Sequence, residues 1–500
     1  FFLSRSDFPS SDIYFTHRSI AANSDFTTFG FSPFITHWVM KKEPLSDMVN
    51  SLQPTKRKGL SMVTLQENVA KFNNNLIVSH DGGQLSSDSG LVLVDELMDA
   101  LQFTQLSEKV VKFKDNRKYW THTNPKVLKQ LILQIIAGYP TDSSANILRH
   151  DPVLQTLSPD EPLASQSSIS RFFDRVTLDT ISTLQGLNQS LIDKARLVRN
   201  DTNLIIDLDS THSDTFGSQE QTAYNAHYGT NGYHPLVAFD GLTGDFLKAK
   251  LRSGNQYTSN GVKGFLEPLL EHYNQAIPTT DILVRGDSGF ATPAIYDLCD
   301  TFKNHYVIRL KANRNLYRLA EEFVYYDNNH PWDEKEVYYH SVSYQANSWT
   351  KPRRVCIRST REVDELLFNH AFIVTNFSEN ISAKRVFETY NKRGTMENYI
   401  KEAKNNFFFD KTDSPHFLEN EARMMISLLA YNLVNFLRTI CFDSKWKGLQ
   451  VNTIRLRLFK IAGKLVRTAR QLYLKLSSSH VYQAEFYHTF RRIQRIRQYI

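Results

Sequence analysis

The chain has 500 residues and a net charge of +7, with 41% hydrophobic and 22% charged residues; that length calls for two to four domains rather than one core. It contains no run of about 18 consecutive apolar residues, so no membrane span is expected. Cys299, Cys356 and Cys441 lie far apart, without zinc spacing or a disulfide frame, and read as reduced thiols of a cytosolic protein.

Residues 1–60 read as a poorly defined N-terminal extension. Residue 1 is Phe, and eight Phe fall within the first 34 residues. No basic n-region or cleavage site marks a signal peptide. The natural start is expected at an internal Met such as Met40, Met48 or Met62. Residues 61–200 are expected to be mainly helical. Within them lie an apolar run, Leu91–Val94, and an apolar cluster of Val127, Leu128, Leu131, Leu133, Ile135 and Ile136. Ala164–Phe173 puts small polar residues at a helix start, followed by Arg171, which suits phosphate contacts. The segment resembles a helix-turn-helix; a plain helical bundle is the alternative.

From residue 203 the pattern turns to strands. Leu204-Ile-Ile-Asp-Leu-Asp209 is a buried-strand run ending in acids. Pro235–Phe239, Phe246–Leu251, Ile282–Arg285 and Tyr306–Leu310 read as further strands. A helical spacing of apolar residues over Val262–Tyr273 and a helix near 292–302 separate the later ones. Three strands, helix, strand, helix, strand is similar to the order of an RNase H-like fold. That core is expected over 201–314 and 381–445, interrupted at 315–380 by a β-rich insertion with near-alternating Tyr, Val and Trp. Residues 446–500 read as a basic, helical tail. The stretch 451–500 alone holds eleven Lys and Arg against one acid, Glu485, which suits a polyanion, or a solvated basic helix.

Three acids stand out by position. Asp209 ends the first strand, Asp287 ends the fourth, and Glu397 opens a helix after the insertion. Neighbouring strands would bring both Asp carboxylates to one sheet edge, and a helix across that edge can add the third. Carboxylates suit hard cations, and two such ions can activate a water or a 3′-hydroxyl toward a phosphodiester. Asp207, two residues before Asp209, faces the same side of its strand and could be a second ligand or a supporting partner. The segment Tyr390-Asn-Lys-Arg393-Gly-Thr-Met-Glu397, with Lys404 seven residues on, spells Y-x2-R-x3-E-x6-K. At about 100° per residue these four side chains share one helix face, with Gly394 expected to break the helix before Glu397. A solvated face with Glu–Lys pairs is the plainer alternative.

This signature resembles that of insertion-sequence DDE transposases. Asp209-Ser210-Thr211 and Val284-Arg285-Gly286-Asp287 are similar to the first and second acid motifs of that family, and Asn225–Gly229 through Tyr233–Leu236 to the stretch after the first. The resemblance implies an α/β fold, an RNase H-like core with helical N-terminal and C-terminal DNA-binding regions. It implies two Mg²⁺ or Mn²⁺ ions held by Asp209, Asp287 and Glu397, and DNA or phosphate contacts from Tyr390, Arg393 and Lys404. Arg309 and Lys311, after the fifth strand, would add backbone contacts or be ordinary surface charge. It further implies cleavage at transposon ends, strand transfer into target double-stranded DNA, a homodimer holding two ends, and a cytoplasmic, nucleoid-associated protein. Two alternatives stand beside it. One is an inactive or domesticated transposase-derived DNA-binding protein. The other is a haloacid dehalogenase-like phosphatase, whose D-x-D-x-T motif Asp207–Thr211 matches with Asp207 as nucleophile. Against the latter, the next acid after Asp287 is Asp297, too far on for that motif.

Overall fold

The computed structural model describes residues 68–156, 162–276, 281–325 and 334–500; the expected N-terminal extension, 1–60, lies outside them. The chain divides into two compact units, Phe1–Val78 and Ser79–Ile500. Of the first, the described residues form a turn closed by an antiparallel bridge between Val69 and Ile77.

The second unit is a mixed α/β structure around one eight-stranded sheet. Its strands are β1 (Leu204–Ser210), β2 (Leu236–Asp240), β3 (Phe246–Lys250), β4 (Ile282–Gly286), β5 (His305–Leu310), β6 (Glu336–Tyr344), β7 (Arg353–Arg361) and β8 (Asn369–Thr375). They lie in the order β6-β7-β8-β5-β4-β1-β2-β3. β1, β4 and β5 run parallel; β2 and β3 form an antiparallel hairpin beside β1. The strands expected from the alternation at 315–380 are present, and they join the sheet through β8–β5 pairing rather than standing apart from it. A small sheet unmarked by the sequence pattern (Ser213–Asp214, Ala223–Asn225, Thr230–Tyr233) lies between β1 and β2.

Helix α1 (Leu178–Arg199) starts with a Thr177–Thr180 capping box, which satisfies orphan N–H groups at its first turn. α2 (Val262–Ala276) and α3 (Pro293–Thr301) connect β3 to β4 and β4 to β5. α4 (Ala383–Asn391) and α5 (Thr395–Phe407) are joined by a 3₁₀ turn, Lys392–Gly394. Gly394 therefore does not break the helix: it keeps right-handed helical dihedrals, φ −55° and ψ −20°. α6 (Phe417–Phe436), continued to Cys441, is long and apolar enough to cross a membrane by composition, yet 83% of its most apolar window is buried in the fold. A core helix passes the same composition test. It is tied to α1 and β3 by a buried amide knot, Asn432 Nδ2 donating to Asn188 Oδ1 and Phe246 O.

The tail expected to be helical holds a β-hairpin, Gly463–Arg467 with Leu472–Leu476, paired to Leu85–Ser86. Its period-two alternation around a tight turn outweighs the helical reading. Four of its basic groups are engaged internally. Arg455 donates to the Ile135, Ile136 and Asn406 carbonyls, and Lys460, Arg492 and Arg497 pair with Asp88, Asp443 and Asp99.

Glu421 on α6 is buried and accepts the Leu251 N–H at 3.2 Å. Burial pushes its carboxyl up to about 7, with that hydrogen bond and Lys250 pulling it back. The unfolded chain releases this proton near 4.5 and the folded chain near 7, so the wild type loses stability as pH rises between them. Glu421→Gln should match the wild type below about pH 4.5 and exceed it by up to about 3 kcal/mol at pH 8. Thermal unfolding of both proteins at the two pH values reads this; an equal difference at both would contradict it.

Candidate active site

The alternation of β1 puts Leu204, Ile206 and Leu208 into the core and turns Ile205, Asp207 and Asp209 to the opposite face. Register then pairs the motifs. Asp207 lies beside Arg285, and Leu208 beside Gly286, which lies beside Ile308. One residue further, the ends of the three parallel strands carry Asp209, Asp287 and Arg309.

The inner row is an ion pair. Arg285 Nε and Nη2 both donate to Asp207 at 2.6 Å, and Nη1 donates to the Thr389 carbonyl at 2.7 Å. Asp207 is 0% and Arg285 1% exposed. A Cβ on Gly241 would meet Asp207 Oδ2 and Arg285 Nη2 at 2.5 Å, so only glycine leaves room for the pair. Burial raises the Asp207 pKa, opposed by Arg285. An acid so enclosed cannot reach a substrate, which removes it as a nucleophile.

The outer row faces a cleft of about 740 Å³ lined by Asp209, Asp287, Arg393 and Glu397. Asp209 accepts the Ser210 N–H and pairs with Arg393 Nη2 at 3.0 Å. Burial pushes its carboxyl up, Arg393 pulls it back, and the neighbouring Asp287 adds to the rise. Asp287 accepts the Gly289 N–H, capping a 3₁₀ turn. Glu397, in the first turn of α5, is exposed. Like charges facing each other across a cleft are what a divalent cation offsets, and the donors are hard oxygens. Among the described residues no group of three such side chains converges on a single point. Two ions, each shared by a pair of carboxylates, do not require one.

The other expected residues separate. Arg393 lines the cleft and also donates to the Leu208 carbonyl; burial works against its charge, and the acids around it hold its pKa up. Tyr390 hydrogen-bonds Arg309, and burial raises its pKa. Lys404 does not line the cleft: its Nζ donates to the His212 carbonyl at 2.5 Å, just past Asp209. Arg309 and Lys311 are exposed beyond β5.

The sequence reading missed one wall of this cleft. Tyr224, His227, Tyr228, His234, Gln256, Tyr257 and Thr258 line it. His227 was set aside as structural, and the density of aromatic and His residues over 224–234 was the available signal. Elsewhere, Ser359, His370 and Glu321 form a hydrogen-bonded chain. Ser359 is 0% exposed, so that chain braces the sheet instead of offering a nucleophile.

A family model described as transposase DDE domain, group 1, matches residues 68–498. Among solved structures, the chain is similar to one in the cryo-EM structure of a piggyBac transposase synaptic complex with hairpin DNA. The identity is 11%, the match covers 74% of this chain and 79% of that one, and the TM-score is 0.41. Comparison with curated proteins finds no match.

Proposed function

The chain belongs to the transposase DDE domain group 1 family, and from that premise we propose that its core is RNase H-like and that Asp209, Asp287 and Glu397 carry DNA strand cleavage and joining. The order β3-β2-β1-β4-β5, an antiparallel hairpin beside three parallel strands, supports the RNase H-like reading. One observation carries the proposal: adjacent parallel strands end in Asp209 and Asp287 at a cleft that Glu397 also lines.

The three acids would hold two Mg²⁺ or Mn²⁺ ions, which when bound activate a water or 3′-hydroxyl and stabilise the leaving oxygen. The protein's own groups set the stage. Arg393 fixes the Asp209 carboxylate and Lys404 braces the carbonyl three residues later, so the first acid is held from both sides. The resemblance gives Arg393 and Lys404 contacts to terminal phosphates as well, which would draw them from these partners. Tyr390, Arg309 and Lys311 stand at the same edge as Asp287 and would contact the DNA backbone.

The partners proposed are transposon-end and target duplexes, gripped by the helical region 61–200 and by the exposed basic groups Lys464, Arg467, Arg470, Lys475, Arg491 and Arg495. A homodimer would hold two ends, in a cytoplasmic, nucleoid-associated protein. The enclosed Asp207 counts against the phosphatase reading. An inactive relative that only binds DNA is separated by experiment: the wild type cuts terminal-repeat DNA with Mg²⁺ or Mn²⁺, whereas the relic binds without cutting.

A further inference from the structure

Three tyrosines in the cleft remain unused by the acids. Tyr224 is 59%, Tyr228 41% and Tyr257 79% exposed, and all three line the cleft that holds Asp209 and Asp287. Exposed aromatic faces beside a polar, acidic cleft have no packing role, yet their supports are built with care. The Asn225 side chain is buried; it donates to the Gly254 carbonyl at 2.7 Å and accepts the His227 and Tyr228 N–H groups. Arg252, also buried, donates to the Tyr257, Thr258 and Asn260 carbonyls. A Cβ on Gly254 would meet the Ala223 carbonyl oxygen at 2.3 Å and that of Gly232 at 2.4 Å, so the 252–258 loop lies directly on the small sheet. Ser210, next to Asp209, is 3.1 Å from Thr258 through their hydroxyls. One face of Tyr228 is already covered by His212, with ring centroids 4.7 Å apart.

We infer that Tyr224, Tyr228 and Tyr257 form a stacking wall for unpaired nucleobases of DNA whose phosphodiester lies at the Asp209–Asp287 mouth. A base offers the flat π-face that such rings accept whatever its identity, and stacking offsets the cost of opening the pair. The cleft would then receive a strand end with its last base pairs opened. This rests on the cleft being a DNA-cutting site.

The test uses the full chain and two duplexes carrying the element's terminal repeat. One is fully paired; the other has a few mismatches at the repeat boundary. Binding without divalent metal is read by fluorescence anisotropy. The wild type should prefer the mismatched duplex about tenfold or more. The triple variant Tyr224→Ala, Tyr228→Ala, Tyr257→Ala should bring that ratio close to one, and the corresponding triple Phe variant should keep it. A wild-type ratio near one, or a preference that survives in the Ala protein, overturns the stacking wall. Cleavage with Mn²⁺ is read alongside. If the wild type cuts the paired duplex with a ratio near one, the wall alone falls; if it cuts neither duplex, the DNA-cutting reading falls with it.

Discussion

Arg285→Met should destabilise the protein by about 3–5 kcal/mol, the scale expected when one partner of a buried ion pair is removed. Both members are essentially inaccessible and bonded through two contacts at 2.6 Å. Without the guanidinium, Asp207 is left in a site where burial alone disfavours its charge, and the Thr389 carbonyl loses its donor. The pair itself is worth far less than this, because burying two charges costs nearly what their attraction returns. The double variant Asp207→Leu with Arg285→Met should therefore recover most of the loss. Urea unfolding of the single and double variants decides; a single-variant loss under about 1 kcal/mol would mean that solvent reaches the pair.

The second large effect falls on chemistry. Asp287→Asn keeps the shape and the acceptor for the Gly289 N–H while removing a charge that faces Asp209. Cleavage of terminal-repeat DNA should drop by roughly three orders of magnitude or more, the scale seen when a group acting in the transition state is lost. DNA affinity should hold or tighten, since an anion near the phosphates is gone. The rise in Tm that Mn²⁺ gives the wild type, by binding only the folded form, should shrink. Cleavage within tenfold of wild type would remove Asp287 from the site.

The strands and the positions of Asp209 and Asp287 were legible because buried parallel strands are short apolar runs, and polarity marks where they surface. Register was not. Nothing local in Asp207 or Arg285 says that residues 78 apart in sequence will pair, so Asp207 stood open between ligand and support until the strands were aligned. The same blindness hid the partner of Lys404. Its spacing from Glu397 suggests a shared face, but its amine turns to a carbonyl 192 residues away in the chain. The tail misled by composition: its charge density hid the alternation of Lys464–Arg467 and Leu472–Leu476. The tyrosine wall was missed because it depends on a loop and a small sheet meeting at Gly232 and Gly254, a contact between segments with no periodicity of their own.

Glu397 is the acid most exposed to challenge, standing on a helix at the solvent side of the cleft, and its variant tests the triad most directly. Duplex DNA carrying the element's own terminal repeats is incubated with Mg²⁺ or Mn²⁺ and either the wild type or Glu397→Gln. The triad predicts cutting at the repeat boundary by the wild type alone, with both proteins binding the DNA equally. Cutting by both would contradict it.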